Sequence, residues 1–129
     1  MDFEQDYIMR LIKQMVAALI SVILGKENKM HELPLEDRYK ASEGLLRELL
    51  TMVNDGKINE AENLLYERLE QDNRKDIENA ILFYSYLNEL DNDFLEKCNY
   101  SRAEIEMGVR EIAKRSGVEG LVEIFCQIQ

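Results

Sequence analysis

The sequence predicts an all-α protein. Apolar residues recur at helical spacing along most of the 129 residues, and no segment shows strand alternation of useful length. One proline and six glycines leave few points at which a helix must stop. A chain of this length suits one domain, so the predicted architecture is a compact bundle of six to seven helices in a single helical domain, residues 1–129.

The first helix is predicted to begin at Asp2 or Phe3 and to end at Leu24, where Gly25 favours a left-handed stop. Its polar and small residues form one narrow stripe, and the rest of its circumference is apolar. A surface helix needs only one apolar stripe. We therefore expect this helix to be covered on at least two sides. The narrow stripe consists of Arg10, Lys13, Gln14, Ala17 and Ser21.

Two further helices are predicted to form a helical hairpin. Pro34 has the position of a first-turn proline, and the second helix is predicted over about 35–53. Gly44 would lie inside it, at a cost of about 1 kcal/mol relative to alanine. A close helix crossing would explain this glycine, and a tolerated flaw is the equal alternative. The third helix is predicted over about 58–70, with Asn59 and Glu62 at capping-box spacing.

The second half of the chain also shows helical periodicity. The fourth helix, predicted over about 75–90, carries apolar residues on more than one stripe, which indicates a central position. Ser101 and Glu104 have capping-box spacing and begin a helix that reaches about Arg115. Two shorter helices, over about 92–98 and 118–127, complete the set.

The joint between the second and third helices has a familiar sequence. Residues 55–61, Asp-Gly-Lys-Ile-Asn-Glu-Ala, resemble the turn and second-helix start of a tetratricopeptide repeat. No Trp-x-x-Leu-Gly precedes the turn, so a generic helical hairpin is the alternative. Together with residues 6–14 and 100–109, this joint is similar to an uncharacterised bacterial all-helical family, a domain of unknown function. The resemblance implies a bacterial, cytoplasmic protein of about this length, without assigned catalytic residues.

The charge balance disfavours two classes of partner. The chain has 26 acidic and 16 basic residues, a net charge of −10, without a basic run. Nucleic acid and anionic membrane surfaces both require basic faces, so we expect neither as a partner. A membrane-spanning first helix is disfavoured as well, because Arg10 and Lys13 would each cost about 3 kcal/mol at the membrane centre.

The sequence contains no recognisable active site. His31 is the only histidine, and we predict that it lies exposed in a loop. Cys98 and Cys126 lack CxxC spacing, which favours two reduced thiols. The spacings of zinc, di-iron and phosphate-loop sites do not occur. We therefore expect no metal and no cofactor, assign no catalytic residue and favour a non-enzymatic role.

Two functional hypotheses follow. The leading one is a protein–protein interaction module that forms a homodimer through the first helix, with a helical or peptide partner as the next choice. The predicted interface residues are Ile8, Leu11, Ile12, Met15, Leu19 and Ile23.

The alternative is a small-ligand-binding or enzymatic helical bundle with an aromatic and acidic cleft. The fourth helix carries the aromatic cluster Phe83, Tyr84 and Tyr86, with Glu78 and Glu89 nearby in sequence. Aromatic side chains of this kind can grip a flat ligand or a peptide, although their commoner role is in the core.

Overall fold

The computed structural model describes residues 3–25, 28–70 and 73–128, with side chains from Gln5 to Ile124 within those ranges. These ranges contain eight α-helices and no strand, which confirms the all-α prediction. A π-helical turn, Ile20–Leu24, follows the first helix, and a 3-10 turn, Met30–Glu32, precedes the second. The helices are α1 (Phe3–Leu19), α2 (Leu35–Ala41), α3 (Gly44–Asn54), α4 (Ile58–Leu69), α5 (Arg74–Asn88), α6 (Asn92–Lys97), α7 (Arg102–Arg115) and α8 (Glu119–Ile128).

Two helical segments α1 and α5 lie at the centre of the packing. α1 contacts α5, α7 and α8, while α5 contacts α1, α3, α4 and α7. Ten of the fifteen residues of α5 are buried, which confirms the predicted central position of this helix. The narrow polar stripe of α1 is exposed throughout, as its composition predicted.

The second predicted helix is not continuous. The chain divides it into α2 and α3, because Ser42 and Glu43 are extended, with ψ of 152° and 162°. Gly44 has φ of +55°, in the left-handed region, and a Cβ at this position would meet no heavy atom within 4 Å. Backbone conformation therefore explains this glycine, rather than either a close helix crossing or a tolerated flaw.

One predicted cap is correct and another is wrong. Ser101 and Glu104 form the reciprocal capping box of α7. α4 instead has Lys57 at its N-cap, without a side-chain cap. The Asn59 amide donates to the Cys98 carbonyl at 3.4 Å. The Glu62 carboxylate accepts from the Tyr84 and Tyr100 hydroxyls instead of from the backbone of its own helix.

A buried arginine joins the end of α5 to the start of α7. The Arg102 guanidinium donates to the carbonyl of Asn88 at 2.6 Å, the carbonyl of Leu90 at 2.5 Å and the side-chain oxygen of Asn92 at 3.1 Å. The last carbonyls of a helix have no intrahelical partner, so Arg102 satisfies groups that would otherwise be orphaned inside the protein.

One helical stretch among the described residues, Gln5–Leu24, has the length and mean hydropathy of a membrane-spanning segment. A third of its most apolar window is buried in the fold. The buried residues of the stretch belong to the hydrophobic core of the subunit, and they are Leu11, Ile12, Met15, Val16, Leu19 and Ile20.

Candidate functional site

The structure places the predicted interface residues in the subunit's own core. Leu11, Ile12, Met15 and Leu19 are at most 6% exposed, because helices of the same chain cover them. Ile8 and Ile23 are partly buried against the same core. None of the four fully covered side chains is available to a second chain in the folded subunit. Self-association stays a prediction, and it requires another surface.

The predicted aromatic cluster is also part of the core. Phe83 and Tyr84 are fully buried and pack edge to face with ring centroids 5.1 Å apart, and Tyr86 is 4% exposed. The Tyr86 hydroxyl donates to the side-chain oxygen of Asn54 at 3.0 Å. These three rings do not line an open cleft, because other residues of the hydrophobic core cover their surfaces.

A tyrosine–carboxylate cluster, formed by Glu62, Tyr66, Tyr84 and Tyr100, joins α4, α5 and the connection between α6 and α7. One carboxylate oxygen of Glu62 accepts from the Tyr84 hydroxyl at 2.5 Å and from the Tyr100 hydroxyl at 2.8 Å. The Tyr66 and Tyr84 hydroxyls are 3.1 Å apart. Burial raises the pKa of Tyr84 and of Tyr100, with the Glu62 charge adding to it. At neutral pH these phenols are hydrogen-bond donors, and the cluster acts as an internal tie between helices.

A second buried polar centre is organised by Arg38 of α2, which is 4% exposed. Its guanidinium donates to the Leu33 carbonyl at 2.7 Å, to the Ser85 hydroxyl at 3.3 Å and to the Glu89 carboxylate at 2.9 Å. It also donates to the carbonyl of His31. Arg38 therefore holds the segment before α2 against α5 and the residue that follows it.

The segment held by Arg38 forms one wall of an open groove of about 560 Å³, here called the α1 groove. The exposed stripe of α1 forms the other wall, and the Arg38–Glu89 ion pair also lines it. The groove is lined by Lys13, Gln14, Ala17, His31, Glu32, Leu33, Pro34, Arg38 and Glu89.

His31 differs from its predicted state. Its side chain is 19% exposed rather than free in solvent, and its Nδ1 atom is buried without a hydrogen-bond partner among the described residues. Burial lowers the pKa of His31, so the imidazole is neutral at pH 7. A catalytic histidine in a triad is oriented by an acid at Nδ1, and this arrangement is missing here.

The described residues contain no group of three His, Cys, Asp or Glu side chains that could hold a metal ion. Cys98 is a half-buried free thiol, and burial raises its pKa, which lowers the thiolate fraction on which cysteine reactivity depends. The side chain of Cys126 lies outside the described residues.

Comparison with known proteins places this architecture in a family. Residues 2–117 match the Family of unknown function (DUF6483). The chain belongs to this family. The DUF6483 region contains the tyrosine–carboxylate cluster, the Arg38 centre and the α1 groove, whereas α8 follows it. No curated protein and no solved structure matches the chain.

The family match confirms the resemblance to a helical family of unknown function. The tetratricopeptide-like joint and the bacterial origin stay predictions. Within the DUF6483 region, Arg38 was not among the predicted site residues, and Glu62 was predicted to belong to a helix cap. Both residues lie among inward positions of their helices, Arg38 three residues after Leu35 and Glu62 three residues before Leu65. A charged residue inside an apolar stripe was the available signal.

Proposed function

We propose that this DUF6483 protein is a non-enzymatic interaction module that pairs with a second copy of itself across the α1 groove. The observation that carries the proposal is the composition of the groove: exposed Ala17 lies between polar side chains of α1 and the apolar wall of Leu33 and Pro34. The six apolar residues predicted from the sequence do not take part. The pairing surface is the opposite, exposed face of α1.

Ala17 has the smallest side chain on the α1 wall of the groove. A small side chain on an exposed helix face lets a second helix approach closely, since the distance between packed helices depends on the side chains at the contact. Leu33, which also lines the groove, is 37% exposed and offers apolar surface to a second helix. Complete burial of such a side chain contributes about 1.5 to 3 kcal/mol before the cost of association.

The charges on the two walls suit a symmetric pair. Lys13 forms no ion pair with any described residue, and Glu32 on the facing wall has a half-exposed side chain, with only 3.8 Å contacts to Lys29 and His31. In a two-fold symmetric interface, residue i of each copy contacts residue j of the other. Lys13 of each copy can thus face Glu32 of the other, and this attraction opposes the repulsion between two chains of net charge −10.

Light scattering at micromolar concentration tests the pairing. We expect a mass near twice 15.1 kDa for the native chain. The substitution Ala17→Arg places a long charged side chain in the groove and should yield a monomer. Ala103→Arg introduces the same side chain at an exposed alanine of α7 and should leave the dimer intact. A native monomer overturns the pairing, and a dimeric Ala17→Arg variant shows that the α1 groove is not the interface.

The α3–α4 hairpin supports the finer, tetratricopeptide-like description. A three-residue connection joins the two helices, and Ala61 is fully buried against the hydrophobic core. Ala61 ends the sequence that resembles the second-helix start of that repeat. This supports repeat-like packing in one hairpin, within a protein whose other helices surround it.

The composition supports a cytoplasmic setting for the pairing. The chain is strongly acidic, and Cys98 is a free thiol, which suits a reducing compartment. Fractionation of cells that express the protein tests this proposal, with recovery in the membrane pellet as the contradicting result.

A further inference from the structure

A second cavity, independent of the α1 groove, lies where the start of α3 meets the first half of α5. This α3–α5 cleft has a volume of about 590 Å³, within the range of small-molecule sites. Its lining combines acidic side chains (Glu43, Asp76 and Glu78), basic and amide side chains, leucines, and the smaller or apolar residues Met30, Ala41, Ser42 and Gly44. Those that carry the inference are Arg68, Lys75, Asp76, Asn79, Leu46 and Leu82.

Two polar side chains present their polar atoms to the cleft. Asp76 is 7% exposed and Asn79 is 6% exposed, and both line the cavity. Neither side chain forms a hydrogen bond or an ion pair with any described residue, so both are free to bind a ligand that enters the cleft. The Asp76 carboxylate can accept from a cation, and the Asn79 amide can add an acceptor oxygen.

The start of α3, in contrast, lacks an acidic side chain that would accept from its first N–H groups. The Glu43 side chain does not cap this helix, and its first turn contains no acidic residue. The first N–H groups of a helix have no intrahelical acceptor, and this end of the helix carries partial positive charge. Gly44 and Leu45 line the cleft, as do the basic side chains of Arg68 and Lys75. This part of the cleft suits an anion such as a carboxylate.

The remaining wall is apolar. Leu46 is 4% exposed and Leu82 is partly buried, and both line the cleft beside the polar groups. One cavity therefore contains three features: the N-terminal end of α3, the Asp76 carboxylate and an apolar wall.

We propose that the α3–α5 cleft binds a free α-amino acid with an apolar side chain. Its ammonium group binds the Asp76 carboxylate and the Asn79 side-chain oxygen, its carboxylate binds the N–H groups at the start of α3, and its side chain packs on the leucines. This inference does not depend on pairing through the α1 groove, because the two cavities share no lining residue.

Isothermal titration and thermal unfolding with three matched probes test the ligand class. L-Leucine has both charged groups, isopentylamine lacks the carboxylate and 4-methylpentanoate lacks the ammonium. We expect L-leucine, or L-valine, L-methionine or L-phenylalanine in its place, to raise the Tm by about 5 °C at ten times its Kd. The amine and the acid should bind at least about tenfold more weakly. Absence of binding by all four amino acids at about 10 mM overturns the proposal, as does equal binding by isopentylamine.

The variant Asp76→Asn tests the position of the ligand. It removes the charge and keeps the volume, so binding of the amino acid should weaken by about 10- to 100-fold. The fold should persist, because Asp76 makes no side-chain bond in the unliganded protein; circular dichroism checks this. Asn79→Leu provides a second variant with the same expected loss. Asp93→Asn, at an exposed site on α6, should bind like the native chain. Native affinity in Asp76→Asn and Asn79→Leu overturns the assignment.

Discussion

At the scale of single residues, Gly108 is the glycine that packs most closely against a neighbouring side chain. A Cβ built on this glycine would lie 2.2 Å from Cζ of Tyr84, whose side chain is fully buried. Glycine inside a helix costs about 1 kcal/mol relative to alanine. Its presence in α7 is explained by the Tyr84 ring, which occupies the space that any side chain would need.

Gly108→Ala should therefore lower the free energy of unfolding by about 1 to 3 kcal/mol, the usual cost of overpacking a core. Urea denaturation monitored by circular dichroism measures the change. The matched control is Gly120→Ala, since a Cβ at Gly120 meets no heavy atom within 4 Å. The control should leave the stability unchanged or raise it by up to about 1 kcal/mol. Equal losses in the two variants would contradict the role of Tyr84.

The tyrosine–carboxylate cluster makes stability depend on alkaline pH. Burial raises the pKa of Tyr66, Tyr84 and Tyr100 above the ordinary value of 10.0. Below about pH 10 the phenols are protonated in both the folded and the unfolded state, and their contribution is constant. Above that pH the unfolded chain loses phenolic protons that the folded chain retains, so the free energy of unfolding should fall.

Urea unfolding at a series of pH values from neutral to above about pH 10 measures this fall. Tyr100→Phe removes one of the three phenols and should give a shallower decline, in addition to a lower stability at neutral pH from the lost bond to Glu62. A decline of native steepness in the variant would show that Tyr100 does not contribute to the alkaline transition.

Two pairs of residues with the same spacing show what local sequence can predict. Ser101 and Glu104 form the predicted capping box, because both side chains bond to backbone within the same turn. Asn59 and Glu62 have the same separation, yet Glu62 accepts hydrogen bonds from Tyr84 and Tyr100, which lie 22 and 38 residues away. Because the Glu62 carboxylate is bonded to these distant hydroxyls, the sequence around Glu62 could not predict its partners.

At the scale of helices, the break between α2 and α3 gives a prediction with a definite sign. In a continuous helix, Gly44→Ala would stabilise the protein by about 1 kcal/mol. At the observed φ of +55° alanine is strained, so we expect a loss of about 1 to 2 kcal/mol. Thermal and urea unfolding distinguish the two signs. Gly44→Asn should lose less, because asparagine adopts left-handed conformations more readily. A gain in stability with alanine would contradict the break.

Helix ends were predicted well where one residue determines them. Gly25 has φ of +97° and directly follows the π-helical turn that continues α1, at the predicted stop. The faces of α1 were harder to interpret. Helical periodicity identifies an apolar surface, but it does not say whether α5, α7 and α8 of the same chain or a second molecule covers that surface. Four of the six predicted interface residues, Leu11, Ile12, Met15 and Leu19, are in fact buried by the chain's own helices.

At the scale of the whole molecule, a net charge of −10 should make the fold sensitive to salt. Like charges repel in the compact state, and salt screens them. We expect the Tm to rise by about 2 to 4 °C when NaCl is raised from about 0.02 to about 0.3 M. The variant with Gln at Glu48, Glu60 and Glu67, three exposed positions, should show a smaller rise. An identical rise would contradict an origin in net charge.

Local sequence patterns could not predict the α1 groove or the α3–α5 cleft, because segments that are distant in sequence form each of them. Arg38 and Glu89 are 51 residues apart and meet beside the α1 groove. The α3–α5 cleft likewise combines the start of one helix with side chains of another that follows about 30 residues later. The sequence predicted the helices that carry these residues, whereas their juxtaposition depends on how the helices pack.

The packing of α1 against α7 and α8 also has a consequence for synthesis in the cell. α1 leaves the ribosome roughly 80 residues before α7, which at about 5 to 20 residues per second corresponds to several seconds. During that interval α5 can cover only part of its apolar surface, and the cover that α7 and α8 provide is still missing. The nascent polypeptide is therefore a natural client for a chaperone that binds exposed apolar helices during translation.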